Sequence, residues 1–168
     1  MHYYFILGLF TLVSLPAVEI SVANLKAVVP DAKKPFTVVS DGGSVTWTLG
    51  KEPATLTIAI VVHMGGGVAK DHAKEVLGFT LLSGATVTAE KGMGGAFQLL
   101  ETTNPQSRMT SRAAVSTFSD GWISLLLTNN PGFHLEPSQR QEIDELLTGI
   151  TIQGKSFIPP TALRFLAP

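Results

Sequence analysis

Hydrophobic and polar residues alternate most regularly in the segment ATLTIAIVVH, residues 54–63. Successive side chains of a β-strand point to opposite faces, so this alternation predicts a strand with one apolar face. The apolar face comprises Leu56, Ile58, Ile60 and Val62, and the other face carries Thr55, Thr57, Ala59, Val61 and His63. Upstream, FTVVSDGGSVTWTL (36–49) predicts a β-hairpin, because two β-rich runs flank a glycine-containing turn. Trp47 lies on the same side of its strand as Val45 and Leu49, where we expect core packing.

Two segments repeat their apolar residues at helical spacing. The first helix is predicted over residues 68–82, and Gly84 lies just beyond its end. Its apolar face comprises Ala69, Ala73, Val76, Leu77 and Leu81. The second helix is predicted over residues 136–150, where Pro137 suits the first turn. Its apolar stripe comprises Ile143, Leu146, Leu147 and Ile150. We expect both helices to pack on the sheet through these faces.

Four further strands are predicted between the two helices, over residues 85–90, 95–102, 112–118 and 122–128. Strand runs interrupted by only a few helices are typical of α+β domains. The sequence therefore predicts an α+β fold, an antiparallel β-sheet with helices packed on it, in a single domain over residues 36–153. Residues 24–35 are predicted to be a linker, and residues 154–168 a C-terminal tail that contains too many prolines to be helical throughout.

The N-terminal apolar run from Tyr3 to Val18 is shorter than the about 20 residues that a transmembrane helix needs. Its length and the small residues after it predict a signal peptide over residues 1–23, cleaved after Ala17 or after Ala23. A retained N-terminal anchor and a buried strand are the alternatives, because the first residues carry no lysine or arginine. We therefore expect an exported protein, periplasmic or extracellular, with no stable membrane span after leader removal.

The composition narrows the classes of partner and chemistry. The formal net charge of -1 provides no strongly basic face, so we expect no nucleic-acid partner. The chain contains no cysteine, which excludes disulfides, thiolate zinc sites, a cysteine nucleophile and a cysteine-anchored lipid. No Ser–His–Asp order, paired-carboxylate motif or metal signature stands out. We therefore expect no cofactor and favour a protein that is not an enzyme.

The stretch HMGGGVAKDH (63–72) invites interpretation as an active site. Its glycines and following lysine lack the spacing of a phosphate-binding loop, and an oxyanion loop requires a G-x-S-x-G turn that the chain does not contain. A metal site of His63, Asp71 and His72 is the alternative, because two histidines and a carboxylate can bind zinc. We interpret the glycines as a tight turn between strand and helix. We then expect the two imidazoles to point apart into solvent, and Gly66→Ala to destabilise the fold if φ is positive there.

Five residues outside this stretch are candidates for binding. Trp122 lies either under a helix or on an exposed face, where it would form a partner-binding spot with Phe133 and His134. Arg108 and Arg112 flank the start of a strand and could hold an anion, although charges at such positions also guard exposed sheet edges. We expect any partner of these residues to be another protein.

The order of the segments resembles the PsbP/Mog1-like family. The resemblance covers roughly residues 36–153 and is carried by LTIAIVV feeding a helix, by KGMGGAFQLLET followed by SRAAVSTF, and by DGWISLLLTNNPG leading into IDELLTGITI. The family's early P-x-G-W is matched only loosely by SDGGSVTW, in which Trp47 is displaced. The resemblance implies an α/β/α sandwich and protein partners, as for the photosystem II extrinsic subunit or the Ran-binding nuclear protein.

These observations together favour an exported accessory or protein-binding domain, with a complex-accessory or a toxin-immunity role. Two alternatives stay open. One is a metal-dependent hydrolase that uses His63 and His72. The other is a carrier that holds a small hydrophobic ligand between the sheet and the helices.

Overall fold

The computed structural model describes residues 17–31 and 36–166. Two antiparallel sheets and four short helices make up this part of the chain. The strands are β1 Ala17–Val22, β2 Leu25–Pro30, β3 Thr37–Asp41, β4 Ser44–Lys51, β5 Ala54–Met64, β6 Thr86–Met93, β7 Phe97–Thr103, β8 Thr110–Phe118, β9 Gly121–Asn129, β10 Thr151–Ile152 and β11 Lys155–Ser156. The helices are α1 Ala69–Val76, α2 Gly78–Leu82, α3 Pro137–Gly149 and α4 Pro160–Leu166.

The larger sheet has seven strands in the order β3-β4-β5-β9-β8-β7-β6. Every neighbouring pair is antiparallel, so the predicted antiparallel α+β architecture is confirmed at this level. Most pairs are joined by short turns, whereas the chain between β5 and β9 contains two helices and three strands. The central β5–β9 pair therefore joins distant segments, and it sets His63 opposite Trp122.

The first face of the large sheet forms the main hydrophobic core. The predicted apolar face of β5 is buried there, and Trp47 is fully buried, as expected. The four-stranded sheet β1-β2-β10-β11 and residues of α3 and α4 belong to the same cluster. Burial of apolar surface is the dominant favourable contribution to folding, so this cluster stabilises the contact between the two sheets.

Residues 17–30 form a β-hairpin, so the linker prediction is wrong for β2. Leu25, Ala27 and Val29 alternate with exposed residues and are buried in the main core, together with Ile20 of β1. The period-two pattern of residues 25–30 is present in the sequence, but it is short and lies between the predicted leader and the polar residues 30–35, a position that favours a linker. Residues 1–16 of the predicted leader, and residues 32–35 of the predicted linker, lie outside the described residues.

The second face of the large sheet is covered by α1, which contacts β7, β8 and β9, and Leu81 of α2 packs against the same cluster. The predicted single helix is interrupted at Leu77, which has φ -89° and ψ 4°, and Gly78 begins a separate short helix. Glycine lowers helix stability, which permits the break. Ala69, Ala73 and Leu77 are buried against the sheet, as the predicted apolar face requires.

The predicted α3 is confirmed, and its Ile143, Leu146 and Leu147 are buried in the main core. A capping box begins the helix, in which the Glu136 backbone N–H donates to Oε1 of Gln139 at 3.0 Å. This helix packs beside β2 of the small sheet and α4. The predicted tail contains β11 and α4, since Pro160 can occupy a first helical turn without loss of a hydrogen bond.

Leu146→Ala should lower the free energy of unfolding by about 2–5 kcal/mol, because it removes a buried side chain and leaves a cavity. The exposed neighbour Glu145 provides the control, and Glu145→Ala should change that free energy by less than about 0.5 kcal/mol. Urea unfolding measures both. Equal effects of the two substitutions would contradict the packing of α3 described above.

Candidate functional site

The glycine run between β5 and α1 is a tight turn, and α1 begins at Ala69 directly after it. Positive φ angles occur at Gly65 (99°) and Gly67 (153°) but not at Gly66. A Cβ at Gly67 would overlap the imidazole of His72, whereas Gly66 has open space around it. The turn interpretation agrees with this geometry, but the glycine with the strict requirement is Gly67, because there the backbone passes against an aromatic ring.

Two histidines stack on one tryptophan beside this turn. The ring centroids of His63 and Trp122 lie 3.5 Å apart with an interplanar angle of 5°, and those of His72 and Trp122 lie 4.1 Å apart at 11°. The expectation that the imidazoles point apart into solvent is therefore wrong. The β5–β9 register supplies the first contact and the seating of α1 on the sheet supplies the second. We call this group the His–Trp–His stack.

His63 is half-buried and is held by Ser124 on the adjacent strand. Its Nε2 lies 3.0 Å from the Ser124 hydroxyl oxygen. Burial lowers the pKa of His63 below its usual value near 6.5, and the neighbouring His72 acts in the same direction while Glu75 opposes both. The imidazole of His63 is consequently neutral at physiological pH.

His72 faces two different environments through its two ring nitrogens. Its Nδ1 lies 3.2 Å from Oε2 of Glu75, and its Nε2 is buried without a hydrogen-bond partner among the described residues. An ionised carboxylate only accepts hydrogen bonds, so in the neutral ring the proton belongs on Nδ1. The Nε2 lone pair then faces the glycine turn, where Gly67 closes the space.

The metal alternative is not supported by this geometry. Asp71 is exposed on α1, and no group of three or more histidine or acidic side chains that could hold a metal ion occurs within residues 17–31 and 36–166. Lys70, which follows the glycines, bonds Oε1 of Glu90 on β6 at 2.6 Å and so ties α1 to the edge strand. His63 and His72 both stack on the indole of Trp122, which offers no ligand for a metal.

The contact between His63 and Ser124 has the distance of a nucleophile–base pair. Ser124, however, is 3% exposed in the middle of β9, so no substrate carbonyl can approach its hydroxyl in this conformation. In this conformation the Ser124 hydroxyl and the His63 imidazole only form a hydrogen bond within the protein, and this bond fixes the orientation of the imidazole.

The predicted spot formed by Trp122, Phe133 and His134 is not assembled. Trp122 is only 5% exposed and lies under α1 at the start of β9, whereas Phe133 and His134 follow the other end of that strand. Phe133 packs half-buried against the main core, and His134 is exposed. Trp122 thus packs α1 against the sheet. The binding roles proposed for Phe133 and His134 stay predictions.

The two arginines occupy different environments. Arg112 bonds Glu101 through its Nε at 2.6 Å, and both side chains are largely buried, so this guanidinium is engaged within the protein. Arg108 is exposed in the turn before β8, with φ 58°, and makes no ion pair with another described residue. The turn is fastened to the end of α2, because Asn104 donates from Nδ2 to the Ser83 carbonyl at 2.8 Å.

An exposed apolar surface that sequence reasoning missed lies on α2 and the start of β6. Phe79 is 82% exposed, Leu82 is 90% exposed, and Val87 is about half-exposed. Residues 76–89 contain no charged side chain, although the chain has 25 lysine, arginine, aspartate and glutamate residues (12 and 13). We call Phe79, Leu82 and Val87 the α2 surface. The available signal was that Phe79 and Leu82 fall outside the predicted apolar face of their helix.

A shallow cleft of about 220 Å³ lies where the β10–β11 hairpin meets the end of β8. Phe118 and Phe157 line it together with Gln153 and Lys155. Sites for drug-sized ligands usually enclose about 300–1,000 Å³ and are mostly apolar. This cleft therefore gives no support to the carrier alternative.

Comparisons with known proteins found no matching family model, no matching curated protein and no matching solved structure. Within the described ranges, no helix combines the length and the apolar character needed to cross a membrane.

Gly67→Ala should lower the thermal unfolding temperature clearly, because the added Cβ would collide with His72 and the backbone there favours glycine. Gly66→Ala is the matched control and should leave that temperature nearly unchanged. Differential scanning calorimetry of the two variants measures the contrast. A Gly66 variant that is the more destabilised of the two would contradict the geometry of the turn.

Proposed function

We propose that this protein is a non-enzymatic accessory domain that binds another protein through the α2 surface. The exposure of Phe79 and Leu82 on one short helix is the observation that carries the proposal. A large apolar side chain left in water is unfavourable by about 1.5–3 kcal/mol relative to its burial. Two such side chains close together, with no charge between residues 76 and 89, match the charge-depleted centre of a protein interface.

The helix that carries the α2 surface is anchored to the rest of the fold from its inner side. Within α2, Thr80 is buried and Leu81 packs against the second-face cluster, and the Ala85 N–H donates to the Thr80 carbonyl at 3.2 Å. Side chains on a fixed backbone lose less conformational freedom when a partner covers them. Phe79 and Leu82 are therefore suited to act as anchors in the partner's apolar pockets.

The chemistry at the edge of the α2 surface indicates the kind of partner. Arg108 is exposed on the turn that Asn104 fastens to the end of α2. Arginine is enriched at interfaces and pairs well with carboxylates. A protein that presents apolar side chains beside an acidic residue would complement both features.

We also propose membership of the PsbP/Mog1-like family for this chain. The support is the order of segments in the sequence, together with an antiparallel sheet that carries helices. A role as an accessory to a protein complex or as an inhibitor that covers a toxin would use a rigid, non-catalytic binding surface of this kind. The proposed family membership does not depend on the α2 surface, whose binding role is inferred only from the exposure of its side chains and the lack of nearby charge.

Export is the third part of the proposal, with cleavage after Ala17. The alternative site after Ala23 would remove β1, which pairs along its full length with β2 and buries Ile20. Loss of this strand would uncover the edge of the small sheet and part of the main core. Cleavage after Ala17 preserves the hairpin from Val18 onward.

Intact-mass measurement of the protein secreted by a host that recognises its leader should therefore give a mature chain that begins at Val18. A mature chain that begins at Asn24 would overturn the assignment of the cleavage site. An uncleaved chain that stays in the cytoplasm would overturn the proposed export.

Phe79→Glu combined with Leu82→Glu should abolish capture of a specific partner from the extracytoplasmic fraction, because charges would enter the centre of the interface. Val39→Glu is the matched control, since Val39 is 67% exposed on β3 at the opposite edge of the same sheet. The thermal unfolding temperature should be nearly unchanged in both proteins. Capture that survives the α2 substitutions but fails with Val39→Glu would place the interface elsewhere.

A further inference from the structure

We propose that the His–Trp–His stack is a pH-sensitive device that holds α1 on the sheet at neutral pH and releases it in acid. The two imidazoles lie nearly parallel to the same indole, with ring-centroid distances of 3.5 Å for His63 and 4.1 Å for His72. Trp122 is the largest side chain of the cluster under α1, so a change at the stack directly alters the packing of this helix on the sheet.

Protonation of His72 creates a buried donor that has no acceptor. The Nδ1 proton of His72 already points to Glu75, so a second proton must enter at Nε2. That atom has no partner among the described residues and lies against Gly67. A buried N–H without an acceptor is unfavourable, and more so when it carries a charge. Glu75 offsets part of this effect, but its own side chain is 68% exposed and its charge is screened by solvent.

Protonation of His63 is opposed by its surroundings as well. Burial lowers the pKa of His63, and a charge on His72 lowers it further. A single cation over the face of an indole is attracted to it. Trp122 therefore partly stabilises the stack when only one of the two imidazoles is protonated. A second proton would place two positive charges on the same indole, and mutual repulsion then favours separation of the rings.

Few other charged groups of residues 17–31 and 36–166 act on the stack. From α1 they are Glu75, which contacts His72, and Lys70, Asp71 and Lys74, which are exposed. From β6 the charged group is Glu90, which is paired with Lys70. Hydrogen bonding to Lys70 lowers the pKa of Glu90, so this ion pair stays charged throughout mild acidification. The faces of β5, β8 and β9 at the stack contribute the uncharged Thr117, Trp122 and Ser124 beside His63.

The direction of the pH effect follows from linkage. His63 has a lower pKa in the closed state than when its ring is in water, so the open state binds more protons below the usual value near 6.5. The closed state is fully favoured above that value and loses stability as the pH falls below it. Only Leu77 separates α1 from α2, so the release of α1 from the sheet would also displace the α2 surface. The functional consequence of this displacement rests on the proposed function.

Tryptophan emission of the mature protein, recorded between about pH 8 and pH 5, tests the device. Trp122 should become exposed to water in acid and shift its emission to longer wavelength, whereas Trp47 is fully buried in the other cluster and supplies a constant background. His63→Gln and His72→Gln should each remove most of the shift, and the double variant should show none. His134→Gln is the matched control and should leave the shift intact, because His134 is exposed and lies beyond the end of β9 that is remote from the stack.

The absence of a shift in the unsubstituted protein, or an unchanged shift in the double variant, would overturn the proposal. If the glutamine variants do not fold at about pH 8, the histidine Cε1 proton resonances of the unsubstituted protein decide. His63 should then titrate below the usual histidine pKa near 6.5, with α1 amide resonances changing at the same midpoint, and titration of His63 at or above that value would refute the device. Partner capture repeated in acid is a separate readout, so loss of emission change and loss of binding can be told apart.

Discussion

The pairing of β5 with β9 is the constraint on which the rest of the structure depends. Its register runs from Leu56 opposite Asn129 to Met64 opposite Gly121. On one face it aligns the apolar residues of the main core, and on the other it sets His63 against Trp122. The close approach at its end requires glycine, since a Cβ at Gly121 would overlap the carbonyl of His63. One strand pair thus closes the core and builds the stack.

The two faces of the large sheet are covered by apolar clusters of unequal size. The main cluster unites the small sheet, α3 and α4, whereas the cluster under α1 is small and rests on Trp122. Small, locally packed units open at a lower free energy than the whole fold. The α2 surface belongs to the smaller unit, so a change in protonation beside Trp122 can affect Phe79 and Leu82 without unfolding the core.

Local patterns predicted the elements whose packing they determine. The alternation along β5 and the apolar stripe on α3 were sufficient to predict these two elements, because each pattern specifies which face of its element is buried. The break at Leu77 and the hairpin of residues 17–30 were missed, the first because a single glycine does not reveal where a helix ends, and the second because it follows a leader-like run. The stack could not be predicted, since His63, His72 and Trp122 meet only after strand register and helix position are set. For the same reason, neither the burial of Trp122 nor its separation from Phe133 was evident from alternation within β9.

Trp122 holds α1 and α2 on the sheet independently of the main core. Hydrogen exchange of Trp122→Ala, followed peptide by peptide, tests it most directly. We expect much faster exchange across residues 69–82, with protection in β4, β5 and α3 retained. Unchanged protection of residues 69–82, or an equal loss of protection in all of these segments, would contradict it.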